Sequence, residues 1–401
     1  MVEFLSLSNK SFGLEITDTS VRLMEVARRG NKIAAVVAGW AQIPEGAVKD
    51  GNIKNEEKLV LAIKEAMAKS AGGKITTRRV VMSLPENKAF LQVIKMPKLN
   101  DRDLRDAVVF EAENYIPLPL EKVYLDFEKV APFFPDPDGD SEEILIVAFP
   151  REAIDSRISA ATAAGLVPVA LELESQAVLR ALSFGRVIES PSIIIQVGDA
   201  KTNLIVYSEN SIRFTFSIPI SNHYFLKTIA ASAKVDMDMA AFLKLRYGIE
   251  EFSNFPQGGK VIDPSNDGNR RKVFEALVPG LVDFAQQIKK CVQYYQGHNN
   301  SQNPGKEASD KILICGSGSD LKGLAGFISL KLNSPVERAL PLIDAKLIES
   351  KLGGKDLCSF SVVVGLAMRS LVEVESAVKI KKATAAPKPL ARFKRRIAIR
   401  G

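Results

Sequence analysis

Histidine is almost absent from this chain of 401 residues, which holds only His223 and His298. With so few imidazoles, neither a His-rich metal site nor a Ser/His/Asp triad is readily built. His298 sits in the polar run QGHNNSQNPG and reads as part of a solvated loop, whereas His223 precedes an apolar stretch and is a candidate general base. Cysteine is scarce too. Cys291, Cys315 and Cys358 lie far apart with no CxxC pair, which argues against a disulfide framework and a cysteine zinc site. Long apolar runs are missing: the longest, Ile33 to Ala41, has nine residues, about half of the roughly 20 that span a bilayer. The start, MVEFLSLSNK, lacks a basic flank followed by an apolar stretch, so no signal peptide is expected and the chain reads as cytosolic.

What is present is ordinary core material, 46% apolar and 25% charged residues, enough for two domains or one large two-lobed fold. The net charge of +7 is unevenly placed. Lys379 to Gly401 holds nine basic residues and no acidic one, so residues 1–378 carry a net −2. The basic character belongs to an appendage, which disfavours nucleic-acid binding by the body.

Two stretches share one pattern, Phe12–Lys32 and Ser192–Phe214, each a short apolar strand, a small polar turn and a second strand. Their turns are 181 residues apart, and such duplication suggests two related lobes. Between them, the spacing of Leu59, Ile63, Ala66 and Met67 predicts a helix over Leu59–Ala71 that stops at Gly72-Gly73. Strands are expected at Val80–Leu84 and Phe90–Lys95, then a helix over Leu99–Ile116 capped by Asn100 or Asp101. A loop (132–143), a strand (144–150) and helices over 151–165 and 172–185 complete this half. Further helices are expected at His223–Ala233, Met237–Tyr247, Lys272–Tyr295 and Ser361–Leu371, with a polar stretch over 252–270 and a loop over 301–310. The alternation is that of an α/β protein.

Three small-residue turns follow apolar strands: ITDTS (16–20), VGDAKT (197–202) and CGSGSDLKG (315–323). Gly, Ser and Thr at a strand end let backbone amides approach phosphate oxygens. The third turn is expected to open a helix whose N-terminus favours an anion. Other phosphate motifs fail. GGKIT at 72–76 has Ala68 where a P-loop needs its first glycine, and Gly316, Gly318 and Gly323 do not have the dinucleotide spacing.

The three turns, the duplicated hairpin and the helix ELESQAVLRALSFG together resemble the actin-like ATPase superfamily, which includes FtsA, heat-shock chaperones and sugar kinases. Within it the likeness is to the PilM family of type IV pilus assembly proteins, through VVMSLPENKAFLQVIKMP, YIPLPLEKVYLDF, ILICGSGSDLKGL and VVVGLAMRSL. The resemblance implies an actin-like two-lobed fold of duplicated ribonuclease H-like domains with an inserted small α+β subdomain. It implies a first lobe over 10–190 with the insertion about 84–160, a second lobe over 191–360 and a helix at 361–378 returning to the first. The nucleotide site it implies falls on Thr17, Asp18, Thr19, Ser20 and Arg22, on Gly198, Asp199, Ala200, Lys201 and Thr202, and on Lys244, Gly316, Ser317 and Gly318. Glu15 and Glu174 would hold a hydrated Mg²⁺, Glu174 as the catalytic carboxylate.

The departures bear on mechanism. The family pattern has Asp at Glu15, Gly at Thr17, Lys at Arg22 and Asp at Gln196, and an acidic partner for Lys244 is missing at Ala241-Phe242. Hydrolysis in such sites uses carboxylates at two strand ends around Mg²⁺ and its water, so ATP binding with weak or no hydrolysis is the expectation.

The resemblance also implies a partner: the groove beside the inserted subdomain would receive the N-terminal peptide of a PilN-like inner-membrane protein within the inner pilus assembly complex. Phe90, Ile94, Tyr115 and Ile116 are candidate lining residues. In the tail, Leu390, Phe393 and Ile397 lie at i, i+3 and i+7 among basic residues, a pattern suited to an anionic membrane surface. The expected location is therefore cytoplasmic, at the inner face of the inner membrane. The competing readings are an FtsA-like filament protein tethered by that tail and an active actin-like ATPase.

Overall fold

The computed structural model describes residues 10–30, 32–132, 139–184, 192–208, 211–249, 268–300, 311–346 and 356–371. The 301–310 loop and the basic tail lie outside the described residues, as do most of the polar stretch over 252–270 and residues 133–138 of the expected loop.

The first half runs β1 (Phe12–Ile16), β2 (Ser20–Arg29), β3 (Lys32–Gln42), a short pair β4 (Val48–Lys49) and β5 (Asn52–Ile53), α1 (Glu56–Ala68) and β6 (Arg79–Leu84). It continues with β7 (Phe90–Pro97), α2 (Asp101–Ala112), β8 (Val123–Val130), β9 (Ser141–Pro150), α3 (Arg151–Ala163), β10 (Val167–Leu173) and α4 (Glu174–Ser183). The second half holds β11 (Ser192–Val197), β12 (Thr202–Ser208), β13 (Ser211–Ile218), α5 (Asn222–Ala233), α6 (Met237–Arg246), α7 (Gly268–Asn300), β14 (Lys311–Cys315), α8 (Leu324–Leu332) and β15 (Val336–Arg338). A last helix, α9, covers residues 361–371.

Local chemistry explains where these elements start and stop. The Asn55 side chain accepts the Lys58 amide at 2.9 Å, and Glu56 and Glu57 occupy the first turn of α1, where the helix dipole favours acids. Asn100 caps α2 in the same way, accepting the Asp103 amide at 3.0 Å. Ser221 and Asp236 cap α5 and α6. The expected bounds of several helices needed correction, with α1 running Glu56–Ala68 and not Leu59–Ala71. The helix predicted from Glu172 starts at Glu174, because Val167–Leu173 is a strand that buries Glu172 between Arg180 and Arg369. And α7 continues through His298 to Asn300, where a loop was expected.

Two five-stranded sheets carry the fold, in the orders β3-β2-β1-β6-β10 and β13-β12-β11-β14-β15. Strand senses match as well: each hairpin triplet is antiparallel, and β6 and β10, like β14 and β15, run parallel to the hairpin's first strand. The duplicated hairpins thus seed two copies of one topology, which makes the molecule a two-lobed actin-like α/β fold. The inserted unit is a separate sheet, β7-β9-β8, with α2 packed on it through Leu104, Val108 and Ala112. It touches the second lobe where Arg213 of β13 meets Glu143 of β9 at 2.6 Å.

Between the two sheets, α4 and α9 form a shared apolar layer: Ala177, Val178 and Leu182 with Val362 and Leu366, against Val81, Ile194, Ile205 and Leu313. The two helices approach closely at Gly365, where a Cβ would stand 1.8 Å from the Ala177 carbonyl oxygen. The Arg180 guanidinium donates to the Gly365 carbonyl at 2.9 Å and to both oxygens of Glu172, joining α4 and α9 to β10. Gly365→Ala must therefore push α9 away from α4, and a loss of about 1–3 kcal/mol is expected, read as a lower denaturant midpoint at unchanged slope; an unaltered midpoint would show that this crossing has room.

Candidate functional site

The cleft between the lobes is built by the turns that end β1 and β11. Strand register places Glu15 directly opposite Arg22 in the first hairpin and Gln196 directly opposite Asn203 in the second. Both pairs are joined, Arg22 Nη1 to Glu15 Oε1 at 3.1 Å and Asn203 Nδ2 to Gln196 Oε1 at 2.9 Å. Equivalent positions of the duplicated unit thus hold an ion pair in one lobe and a neutral amide pair in the other.

Asp199 ties the lobes together. Its carboxylate accepts from Arg22 and, at 3.0 Å, from Ser20 Oγ, both on β2, and from Ser317 Oγ on the third turn. Burial alone would raise its pKa, but Arg22 and the hydroxyl donors outweigh it and hold the acid at about 2. A second, more exposed tie joins Lys201 to Asp50 at 3.4 Å. Asp18, the first-lobe counterpart of Asp199, stays within its own lobe and accepts the Asp50 and Gly51 amides at 2.7 and 2.9 Å.

The remaining site residues separate into those that face the cleft and those that hold their own turns. Thr17 Oγ1 accepts the Thr19 and Ser20 amides, and the Thr17 amide bonds the Ser20 carbonyl, so these three amides are consumed within the turn. Thr19 bonds Ile43 through its carbonyl, and Thr202 is fully buried and donates to the Ile220 carbonyl at 2.7 Å. Lys244 is buried with its ammonium on Asn222 and Asp320, at 2.6 and 2.5 Å; Asp320 supplies the acidic partner absent from its own helix. A Cβ at Gly198, Gly316 or Gly318 would stand 2.7, 2.4 or 2.3 Å from Lys201 or Val197 atoms, so turn packing by itself requires these glycines. The third turn leads into a short 3₁₀ turn, Ser317–Asp320, and α8 starts only at Leu324; the expected helix N-terminus is not at the glycines.

The cleft itself is lined by Glu15, Asp18, Glu86, Glu174, Gln196, Asp199, Ala200, Lys201 and Asn203 among others. Its acids are unusual. Burial raises Glu15 to about 7, opposed by Arg22. Its Oε2 has no partner at hydrogen-bonding distance, and the Val363 backbone in the first turn of α9 opposes part of the upward shift. Burial, then the charges of Glu15 and Glu86, raises Glu174 to about 8 against a hydrogen bond from Asn203. Glu86, which sequence reasoning did not single out, is buried, shifted up by burial, and accepts both the amide and the hydroxyl of Ser175 at the start of α4. Only its fold neighbours reveal it, because nothing in PENK marks a buried acid.

No group of three or more His, Cys, Asp or Glu side chains among the described residues is placed to hold a metal ion directly. The unpartnered oxygen of Glu15 and the neighbouring Glu174 do suit a cation held mostly through water, which would relieve their mutual repulsion. His223 is held below its usual pKa by burial and Lys227 and is neutral at pH 7.

A carboxyl raised from 4.5 to about 8 binds its proton in the folded state while the unfolded chain has lost it. Its contribution is complete below about pH 4.5 and fades as pH rises through 8. Stability of the wild type should therefore fall between pH 5 and 9, and Glu174→Gln should flatten that slope by about 1–3 kcal/mol across the range, measured by denaturant unfolding at each pH. An identical slope in both proteins would place the titrating group elsewhere.

Residues 13–249 match the family of the type IV pilus assembly protein PilM. A cell division protein FtsA of Neisseria meningitidis serogroup B is 23% identical over 328 residues, covering 76% of this chain and 78% of that protein. Among solved structures, a PilM-PilN type IV pilus biogenesis complex superposes with a TM-score of 0.71 at 25% identity, over 90% of this chain and 98% of the other. MreB5 of Spiroplasma citri bound to AMPPNP shares the fold, with a TM-score of 0.51 at 12% identity over 94% and 99% of the two chains. The family match extends from the first hairpin through the inserted sheet and the second hairpin to the end of α6, the same elements that build the cleft, and the chain belongs to the PilM family of type IV pilus assembly proteins.

Proposed function

We propose that this protein is a scaffold of a type IV pilus or related secretion machine, which binds the N-terminal segment of a PilN-like inner-membrane protein beside its inserted subdomain. The observation that carries this reading is the likeness to the PilM-PilN complex over nearly the whole of both chains. The surface chemistry agrees. Of the four groove candidates, Ile94 and Ile116 are buried in the core of the inserted unit and Phe90 packs against it. Tyr115 is exposed, and with Val109, Phe110 and Leu118 it forms an uncovered apolar strip along and just beyond α2. No helix among the described residues is long and apolar enough to cross a membrane, so a membrane partner, with or without the basic tail, would bring the protein to the inner face of the inner membrane.

The cleft would take ATP and Mg²⁺, with Glu15 and Glu174 holding the hydrated cation and Arg22, Lys201 and the turn side chains facing the phosphates. The cation would neutralise phosphate charge beside these acids. Gln196 offers no carboxylate and is already engaged by Asn203, which supports binding with little turnover over the active-ATPase reading. Nucleotide would then bias the lobe arrangement and so the groove.

Phe110 is 69% exposed, so Phe110→Glu should leave the fold intact while lowering affinity for the PilN-like N-terminal peptide at least tenfold in a calorimetric titration; unchanged affinity would move the groove off α2. Because Glu15 and Glu174 must release protons to receive a cation, the affinity for Mg-ATP should rise from pH 6 to 8.5. A flat profile would remove these two acids from the site.

A further inference from the structure

Asp199 stands where the side chains of two phosphate turns converge. Ser20 and Arg22 come from the first lobe and Ser317 from the third turn, and all three direct hydrogen-bond donors at one buried carboxylate. Two hydroxyls and a guanidinium around a single anion from separate elements form the donor set expected of a phosphate site. The anion they hold is supplied by the protein itself, from the second turn. The corresponding acid of the first lobe, Asp18, shows that the position does not demand this arrangement, since it bonds backbone amides of its own lobe.

We propose that Asp199 is an internal substitute for phosphate: it occupies the anion position of the interlobe cleft, and a phosphate-bearing ligand must displace it, so that Asp199 sets the affinity and the selectivity of the site. This deepens, and rests on, the nucleotide reading above. Displacement would free Arg22, Ser20 and Ser317 together and cut this buried tie between the lobes, leaving contacts such as Lys201–Asp50, Arg213–Glu143 and Asn203–Glu174. Ligand arrival and lobe release are thereby one exchange of anions. A weak ligand cannot complete the exchange, because the apparent affinity is reduced by the fraction of molecules in which the donors are free. The carboxylate remains ionised down to about pH 2, so it competes at every physiological pH. The cleft therefore selects for a polyanionic ligand carrying a counter-cation rather than for a single phosphate.

The test compares wild type with Asp199→Asn, which keeps the shape and removes the charge, using Mg-ATP and Mg-pyrophosphate as separate probes in calorimetry on the full chain. Asp199→Ala serves as a second variant should the introduced amide form new hydrogen bonds, and unfolding curves check that each protein is intact. The expected result is binding at least tenfold tighter in the Asp199 variants for both probes, lost again when Arg22→Met is added. Tighter pyrophosphate binding without any ATP binding would uphold the anion substitute and reject the nucleotide reading. ATP binding to the wild type that is equal or weaker in both variants would overturn the proposal and leave the nucleotide reading standing. Absence of binding of either probe to every protein would overturn both.

Discussion

The two lobes face each other across a buried ionic contact, Arg22 with Asp199, and much of the site follows from it. Arg22 is also paired with Glu15, so a single guanidinium serves one acid of its own hairpin and one of the other lobe. Its partners differ in consequence. Asp199 gains enough donors to stay fully charged, whereas Glu15, with one oxygen unpartnered, sits near neutrality. A buried charge is stable only with its partner in place, which makes this contact sensitive to anything that supplies a competing ion.

The duplicated hairpins show how one backbone plan came to hold two kinds of chemistry. Register puts residues 15 and 22, and again 196 and 203, opposite each other at the mouth of the cleft. One lobe uses the pair for charge, the other for neutral hydrogen bonds that continue through Asn203 to Glu174 and Ser217. The acids are thus gathered on the first-lobe side, where burial raises Glu15, Glu86 and Glu174 alike and the charges of the first two push Glu174 further. That asymmetry sets three raised acids against a neutral amide pair across the cleft.

The inserted unit leaves part of its apolar surface uncovered. Its amphipathic helix α2 buries Leu104, Val108 and Ala112 in the small sheet and leaves Phe110 outside. A helix of 12 residues can cover only one stripe, so apolar residues off that stripe stay exposed. Tyr115 and Leu118, beyond the helix end, extend the same strip because Pro117 and Pro119 hold the chain out of helical geometry.

Much of this protein was determined by sequence alone. Hairpin repetition, helix caps at Asn55, Asn100, Ser221 and Asp236, and the three small-residue turns depend on neighbours within a few residues, and there local preference decides the outcome. The two-lobed fold and the family were legible for that reason. The tertiary structure alone decided the remainder. Strand β10 hides a buried acid whose two arginines lie 8 and 197 positions away; Glu86 is an acid of the cleft only because α4 begins above it; and the amides of Thr17, Thr19, Ser20 and Gly198, taken for phosphate donors, are spent within their own turns. Above all, Asp18 and Asp199 are equivalent in the repeat, and only the packing of one lobe against the other makes the second the anion of the site, since charge and burial there are set by residues 177 and 118 positions away.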